Sequence, residues 1–107
     1  MSDKDLQIAK QIKKELKQKL GDKLISVILY GSRAKGTAKK DSDMDLLLVT
    51  KKKFNFASPE NETIASLTVK YMDKGIYLSP ITYEIKEYLK YKNLNFLREV
   101  EREGILL

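Results

Sequence analysis

Asp43 and Asp45 stand at i and i+2 at the head of an apolar run, Leu46-Leu47-Leu48-Val49. On a strand, residues two apart share one face, so both carboxylates would address the same volume. Carboxylate oxygens so arranged suit Mg²⁺, which is held by one or two carboxylates together with substrate phosphates. Ten residues separate this pair from Gly31-Ser32, which closes another apolar run, Leu24 to Tyr30. A Gly-Ser turn can offer backbone N–H groups and a hydroxyl to a phosphate. Arg33 and Lys35 follow it directly. One short segment thus combines a metal site and a phosphate site, the equipment for moving a nucleotide.

Each feature has a plainer reading. Gly31-Ser32 alone is an ordinary turn, and a lone Asp-x-Asp is common. Asp is depleted in strands, however, so Asp45 set directly against Leu-Leu-Leu-Val needs a reason, and a metal supplies one. Asp41 reads as a loop residue. Arg33 and Lys35 divide evenly between phosphate contact and solvated loop. Lys51-Lys52-Lys53 leaves the same strand at its far end and reads as a solvated loop. The six tyrosines read first as core or interface residues.

Composition narrows the chemistry. The 107 residues contain no cysteine and no histidine. That excludes a disulfide framework, a thiolate zinc site, a Cys nucleophile and a Ser-His-Asp mechanism. Carboxylates, hydroxyls, Lys, Arg and a hard metal remain. A net charge of +6 reads mostly as a solvated Lys/Glu surface. Around Arg33, Lys35, Lys39 and Lys40 it reads as attraction for an anion. No apolar run approaches the roughly 20 residues needed to span a bilayer, and the N-terminus has no signal-peptide core. A cytoplasmic protein forming a single domain over residues 1–107 is expected.

The elements that must position these residues follow from periodicity. Ser2 is placed to cap a helix with Asp3 and Asp5 in its first turn. Leu6, Ala9, Ile12, Leu16 and Leu20 recur at helical spacing, and Gly21 is its stop. Leu24 to Tyr30 and Asp45 to Thr50 read as strands buried on both faces. Ser58-Pro59 opens a helix with Ile64, Leu67, Thr68, Tyr71 and Met72 as its stripe, ending near Gly75. Ile76 to Tyr83 is a third strand, which Pro80 assigns to an edge or a bulge. Glu84 to Tyr91 is helical. Asn93 caps a last helix with Leu94, Leu97 and Val100 on one side, closed by Gly104, and the apolar tail 105–107 docks. About fourteen residues join the first two strands, too few for a crossover unit of ~30 residues. Those strands are antiparallel neighbours, or joined by a compact loop with a short helix starting near Ser32. The fold class is α+β, a small mixed sheet with helices packed on it.

The pattern Gly-Ser-x₁₀-Asp-x-Asp across two strands resembles the DNA polymerase β-like nucleotidyltransferase superfamily. More closely, the chain resembles its smallest members, the minimal nucleotidyltransferase (MNT) proteins. The likeness extends to the basic loop 33–38, the acidic strand 41–47 and the ending 96–106. It implies a polymerase β palm-like fold. Gly31, Ser32 and Arg33 would hold the phosphates. Asp43 and Asp45 would be the catalytic carboxylates and bind Mg²⁺. An acceptor hydroxyl would attack the α-phosphate of ATP or another NTP. Active superfamily members carry a third carboxylate on a later strand, where this chain has Tyr77 and Ser79. Glu84 at that strand's end is the first substitute, and Asp73 the second.

The resemblance also implies a partner. Larger relatives grip the acceptor with further domains, whereas here an acceptor site must come from a partner or a homodimer interface. MNT proteins pair with small helical HEPN toxins, and in some pairs transfer AMP to a toxin tyrosine. An adenylylating antitoxin is therefore expected. The alternative is a catalytically impaired, nucleotide-binding antitoxin that neutralises by contact alone. Direct nucleic-acid binding ranks last, because no reading motif is present and the lysines are spread along the chain.

Overall fold

A computed structural model describes residues 3–107. Ser2, the expected cap of the first helix, lies outside the described residues. Helix α1 spans Asp3–Leu20 and leads through a short 3₁₀ turn, Gly21–Lys23, into strand β1, Leu24–Tyr30. Helix α2 is one turn, Ser32–Lys35, and β2 is Met44–Thr50. Helix α3, Pro59–Met72, starts as the Ser58-Pro59 pair predicts: Ser58 Oγ accepts from Asn61 N. Strand β3 is Leu78–Glu84, α4 is Ile85–Tyr91, α5 is Asn95–Glu103, and β4 is Ile105–Leu106.

The sheet has the order β3-β2-β1-β4. β1 is antiparallel to β2 and to β4, and β2 is parallel to β3. Both sequence alternatives for the first connection therefore hold together: antiparallel neighbours joined by a loop carrying a short helix at Ser32. Pro80 sits on the edge strand, where a missing donor is tolerated.

Alternation along the strands divides the core in two. Val27, Leu29, Met44, Leu46 and Leu48 pack with α1 and α3 residues such as Ile12, Leu16, Ile64 and Leu67. Ile28, Leu47 and Val49 face the other way, onto Tyr88 of α4 and Leu97 and Val100 of α5. β2 is buried on both faces, as its apolar run requires. β1 is too, except at its start, where Ile25 is exposed.

Glu15 on α1 ties the first layer together, accepting from Lys70 Nζ and the Tyr71 hydroxyl on α3. The Lys70 bond first, then the Tyr71 bond, holds the Glu15 carboxyl below its ordinary value, against burial. A lowered carboxyl pKa contributes stability above the unfolded value and loses it as pH falls through the folded value. Glu15→Gln is expected to lower stability at pH 7 by about 1–3 kcal/mol. Urea titrations should show the gap to the parent closing in acid; a gap constant with pH would refute the ionic account.

The C-terminal part departs from expectation at one cap. Leu94 N donates to Tyr91 O, so Asn93 is consumed in the turn. The cap is Leu94, with no side-chain bond, and Leu94 is exposed rather than on the buried side. The tail docks as expected, with Ile105 opposite Leu29 and Leu106 opposite Ile28. Gly104 permits this approach: a methyl group there would lie 2.4 Å from Val100 O and 2.6 Å from Ile28 Cγ2.

Candidate active site

Strand β2 begins one residue earlier than the acidic pattern suggests, with Met44 N donating to Tyr77 O at 2.8 Å. Met44 turns into the α1/α3 layer. Alternation then sends Asp45 to the opposite face, the one bearing Leu47 and Val49. That face is covered by α4 and α5 further along, and the Asp45 end is left partly open. Asp43 is exposed at the strand's entrance, and Asp45 is partly buried.

The Gly-Ser turn meets this pair directly. Tyr30 is the ladder partner of Asp45, so the next residue, Gly31, emerges beside the carboxylate. Gly31 has φ +74°, and a methyl group added to it would sit 2.3 Å from Asp45 Oδ2. Only glycine allows both that dihedral and that approach. Ser32 follows as the first residue of α2. The structure thus sets Gly31 against Asp45, with Ser32 next in the chain and the charge of Asp43 acting on Asp45.

Electrostatics agree with a cation site. Burial raises the Asp45 carboxyl above its ordinary value, and the charge of Asp43 raises it further. Tyr30 is pushed up to about 12 by burial first, then by Asp45 and Tyr83. Like charges held close in a partly buried place favour a divalent cation. The donor set, two hard carboxylates with the Gly31 turn packed against one of them, fits Mg²⁺ shared with substrate phosphates.

Arg33, expected at the phosphates, is here bonded to α1 and to the loop before Asp43. Its Nη1 donates to Asp5 Oδ1 at 3.2 Å, and its Nη2 to Ser42 O at 2.8 Å and Lys40 O at 3.4 Å. Arg33 therefore clamps the loop that ends in Asp43 onto α1. Arg33→Ala is expected to loosen that loop and slow transfer about 100-fold, the scale of a 1 Å misplacement. Lysine should rescue poorly, because the fork is lost; full rescue by Arg33→Lys in transfer assays would refute the clamp. Lys35 is also engaged, at 2.9 Å from Glu103. Lys39 and Lys40 line a cavity of about 550 Å³ with Lys4 and Lys74, on the Met44 side of the sheet.

The structure does not bring Glu84 to the pair. Ser79 is the ladder partner of Asp45, and Glu84 is the partner of Thr50, at the other end of β3. Glu84 instead caps α4, accepting from Lys86 N. Asp73 caps α3 and is exposed. Among the described residues no third carboxylate joins Asp43 and Asp45. Two site residues escape a reading of the sequence: Tyr30, whose place beside Asp45 is set by strand register, and Phe96, whose ring meets Tyr30 edge-on at 5.4 Å.

A mixed sheet with a Gly-Ser turn pressed against a strand-borne Asp-x-Asp defines the nucleotidyltransferase class. A family model described as "Nucleotidyltransferase domain" matches residues 9–107, and the chain belongs to that family. Two Methanocaldococcus jannaschii proteins, each named "Putative protein adenylyltransferase" (MJ1305 and MJ0141), are similar to it. The first is 39% identical over 80 residues, covering 74% of this chain and 54% of that protein, so the chain spans about half of that relative. The second is 36% identical over 101 residues, covering 94% of this chain and 95% of that protein. Among solved structures, a toxin–antitoxin with AMP-PNP superposes with a TM-score of 0.59 at 17% identity, over 90% of this chain and 69% of that one. A mutant of the toxin–antitoxin MntA-HpeT gives 0.58 at 20% identity, over 92% and 69%. At these identities the likeness is one of fold. It agrees with the α+β architecture expected from the sequence, a small mixed sheet with helices packed on it.

Among the described residues no helix is long and apolar enough to cross a membrane.

Proposed function

We propose that this chain transfers AMP, or another NMP, from a nucleoside triphosphate to a tyrosine of a HEPN-type toxin, and acts as its antitoxin. The observation that carries this reading is the convergence of Gly31 on Asp45 Oδ2, which joins a phosphate turn to a carboxylate pair. The names of the relatives support protein as the acceptor, and the AMP-PNP complex of a fold neighbour supports a nucleotide substrate.

Asp43 and Asp45 would hold Mg²⁺, and Gly31 and Ser32 would position the phosphates. When bound, Mg²⁺ neutralises charge on the attacking and leaving oxygens. The acceptor oxygen forms a bond to the α-phosphorus, the bond to pyrophosphate breaks, and the hydroxyl proton passes to solvent water. With serine at position 79, no carboxylate among the described residues joins Asp43 and Asp45 to serve as a base. That favours an acidic acceptor, and a phenol, with a pKa of about 10, needs less help than an aliphatic hydroxyl.

The same Ser79 supports a second reading: a nucleotide-binding antitoxin that neutralises by contact alone. Intact-mass spectrometry of the partner, incubated with this protein, ATP and Mg²⁺, separates them. A gain matching one or more AMP groups, absent with Asp43→Asn/Asp45→Asn, is the expected result. No gain, with stable complexes formed by both versions, would establish the second.

A further inference from the structure

Strand β2 and its aspartates lie between β1, which runs into the Gly31 turn, and β3. The phosphate turn therefore flanks Asp45 on one side, and β3 flanks it on the other. Nucleotidyl transfer sets the attacking and leaving oxygens roughly in line across the phosphorus. With the pyrophosphate end held at Gly31 and Ser32, the attacking hydroxyl comes from the β3 side.

Tyr77 stands on that side. Met44 N donates to Tyr77 O at 2.8 Å, and Met44 is the ladder partner of Leu78. Tyr77 is thus the β3-side neighbour of Asp43, and neighbouring strands lie only about 4.8 Å apart. Ile76 and Leu78, on either side of it, both pack into the α1/α3 layer. Alternation turns Tyr77 to the opposite face, the face of Ser79 and Asp45. Tyr77 is 44% exposed, and its hydroxyl makes no hydrogen bond among the described residues. The other five of the six tyrosines are placed differently. Tyr71 and Tyr88 are bonded to Glu15 and Glu101. Tyr30 is beside Asp45 but on β1, the side of the leaving group. Tyr83 pairs with Val49, further along β2, and Tyr91 ends α4.

We infer that Tyr77 is an internal acceptor: without a partner, the chain transfers the nucleotide to its own Tyr77 and so closes its acceptor side. The inference rests on the nucleotidyl transfer proposed above. The Tyr77 oxygen forms a bond to the α-phosphorus of the triphosphate, the bond to pyrophosphate breaks, and the phenol proton passes to the water that reaches this exposed side chain. A phenol is the acceptor that a site without a third carboxylate serves best. The attached nucleotide then occupies the side from which a partner's hydroxyl approaches. The reaction stops at one group per chain and shuts the modified chain to other acceptors.

Intact-mass spectrometry of the full chain alone, incubated with ATP and Mg²⁺, tests it. Fragment spectra locate the added group, and calorimetry measures ATP binding in parallel. The expected result is a gain of one AMP group on Tyr77, with a rate constant independent of protein concentration, as a reaction within one chain requires. Tyr77→Phe, checked for folding by an unchanged melting temperature, should lose the gain, as should Asp43→Asn/Asp45→Asn. AMP on another residue, a rate constant that rises with protein concentration, or ATP bound in Mg²⁺ with no gain overturns the internal acceptor and leaves the nucleotide site standing. Failure of ATP to bind, with no gain, overturns the nucleotide site and the internal acceptor with it.

Discussion

Asp43→Asn and Asp45→Asn are each expected to abolish nucleotide transfer while leaving the fold at least as stable as the parent. Removing one preorganised electrostatic group from a catalytic site costs about 10²–10³ in rate, and a metal-holding carboxylate belongs at or beyond that level. Stability moves the other way. Asp45 has a raised carboxyl pKa, from burial first and Asp43 second. A carboxyl so raised favours the fold below its unfolded value and loses that contribution as pH rises through the folded value. At neutral pH the ionised Asp45 is therefore a cost, and an amide of the same shape removes it. Thermal melts without divalent cation should give Asp45→Asn a Tm at or above the parent's. Mg²⁺ with ATP should raise the parent's Tm by mass action and leave the variant's nearly unmoved. A variant that keeps more than about a tenth of the parent rate would contradict the site.

Ser79→Asp is expected to accelerate transfer. Ser79 is paired with Asp45 on the adjacent parallel strand, and ladder partners in a sheet project to the same face. A carboxylate there would join the aspartate pair, adding a metal ligand and a proton acceptor. General-base assistance is worth about 10²–10⁴ in rate, and the lower end is expected because β3 is an edge strand with some freedom. The gain should be larger for an aliphatic hydroxyl acceptor than for a phenol, since the phenol needs less help. The cost is a third negative charge near two others, so the melting temperature without Mg²⁺ should fall. Glu84→Gln is the matched comparison: its amide oxygen can still accept from Lys86 N, so it should leave both transfer and stability close to the parent's. A folded Ser79→Asp variant with unchanged rate, or a Glu84→Gln variant that loses activity, would reverse the assignment of the β3 position.

Several elements were legible without coordinates because their signals are local. The stripe Ala9, Ile12, Leu16 and Leu20 is buried as its period demands. Ser58-Pro59 opens α3 through a cap bond between residues three apart. Strand β3 was harder: Ile76 and Tyr77 belong to the approach, and the strand starts at Leu78, where pairing with Met44 begins. The start of α5 was misplaced for a similar reason. Asn93 has the chemistry of a cap, but the bond from Leu94 N to Tyr91 O takes the chain through another turn first.

The candidate site divides along the same line. Residue types and the two-residue period of a strand were enough to propose Asp43 and Asp45 as a pair with Gly31-Ser32 as its phosphate-binding complement, but not to say which residue of the later strand stands with them. These are properties of short segments, decided by backbone alternation and turn chemistry. Which residue stands beside Asp45 was decided only by strand register, set by burying two apolar faces at once; it chose Ser79 and Tyr30 and sent Glu84 to the far end. The direction of Arg33 depended on α1 bringing Asp5 to it, and the contact of Phe96 with Tyr30 on α5 folding back over β1. Such contacts join distant parts of the chain, so their energies are not written in any local pattern, and only the packed tertiary structure selects them.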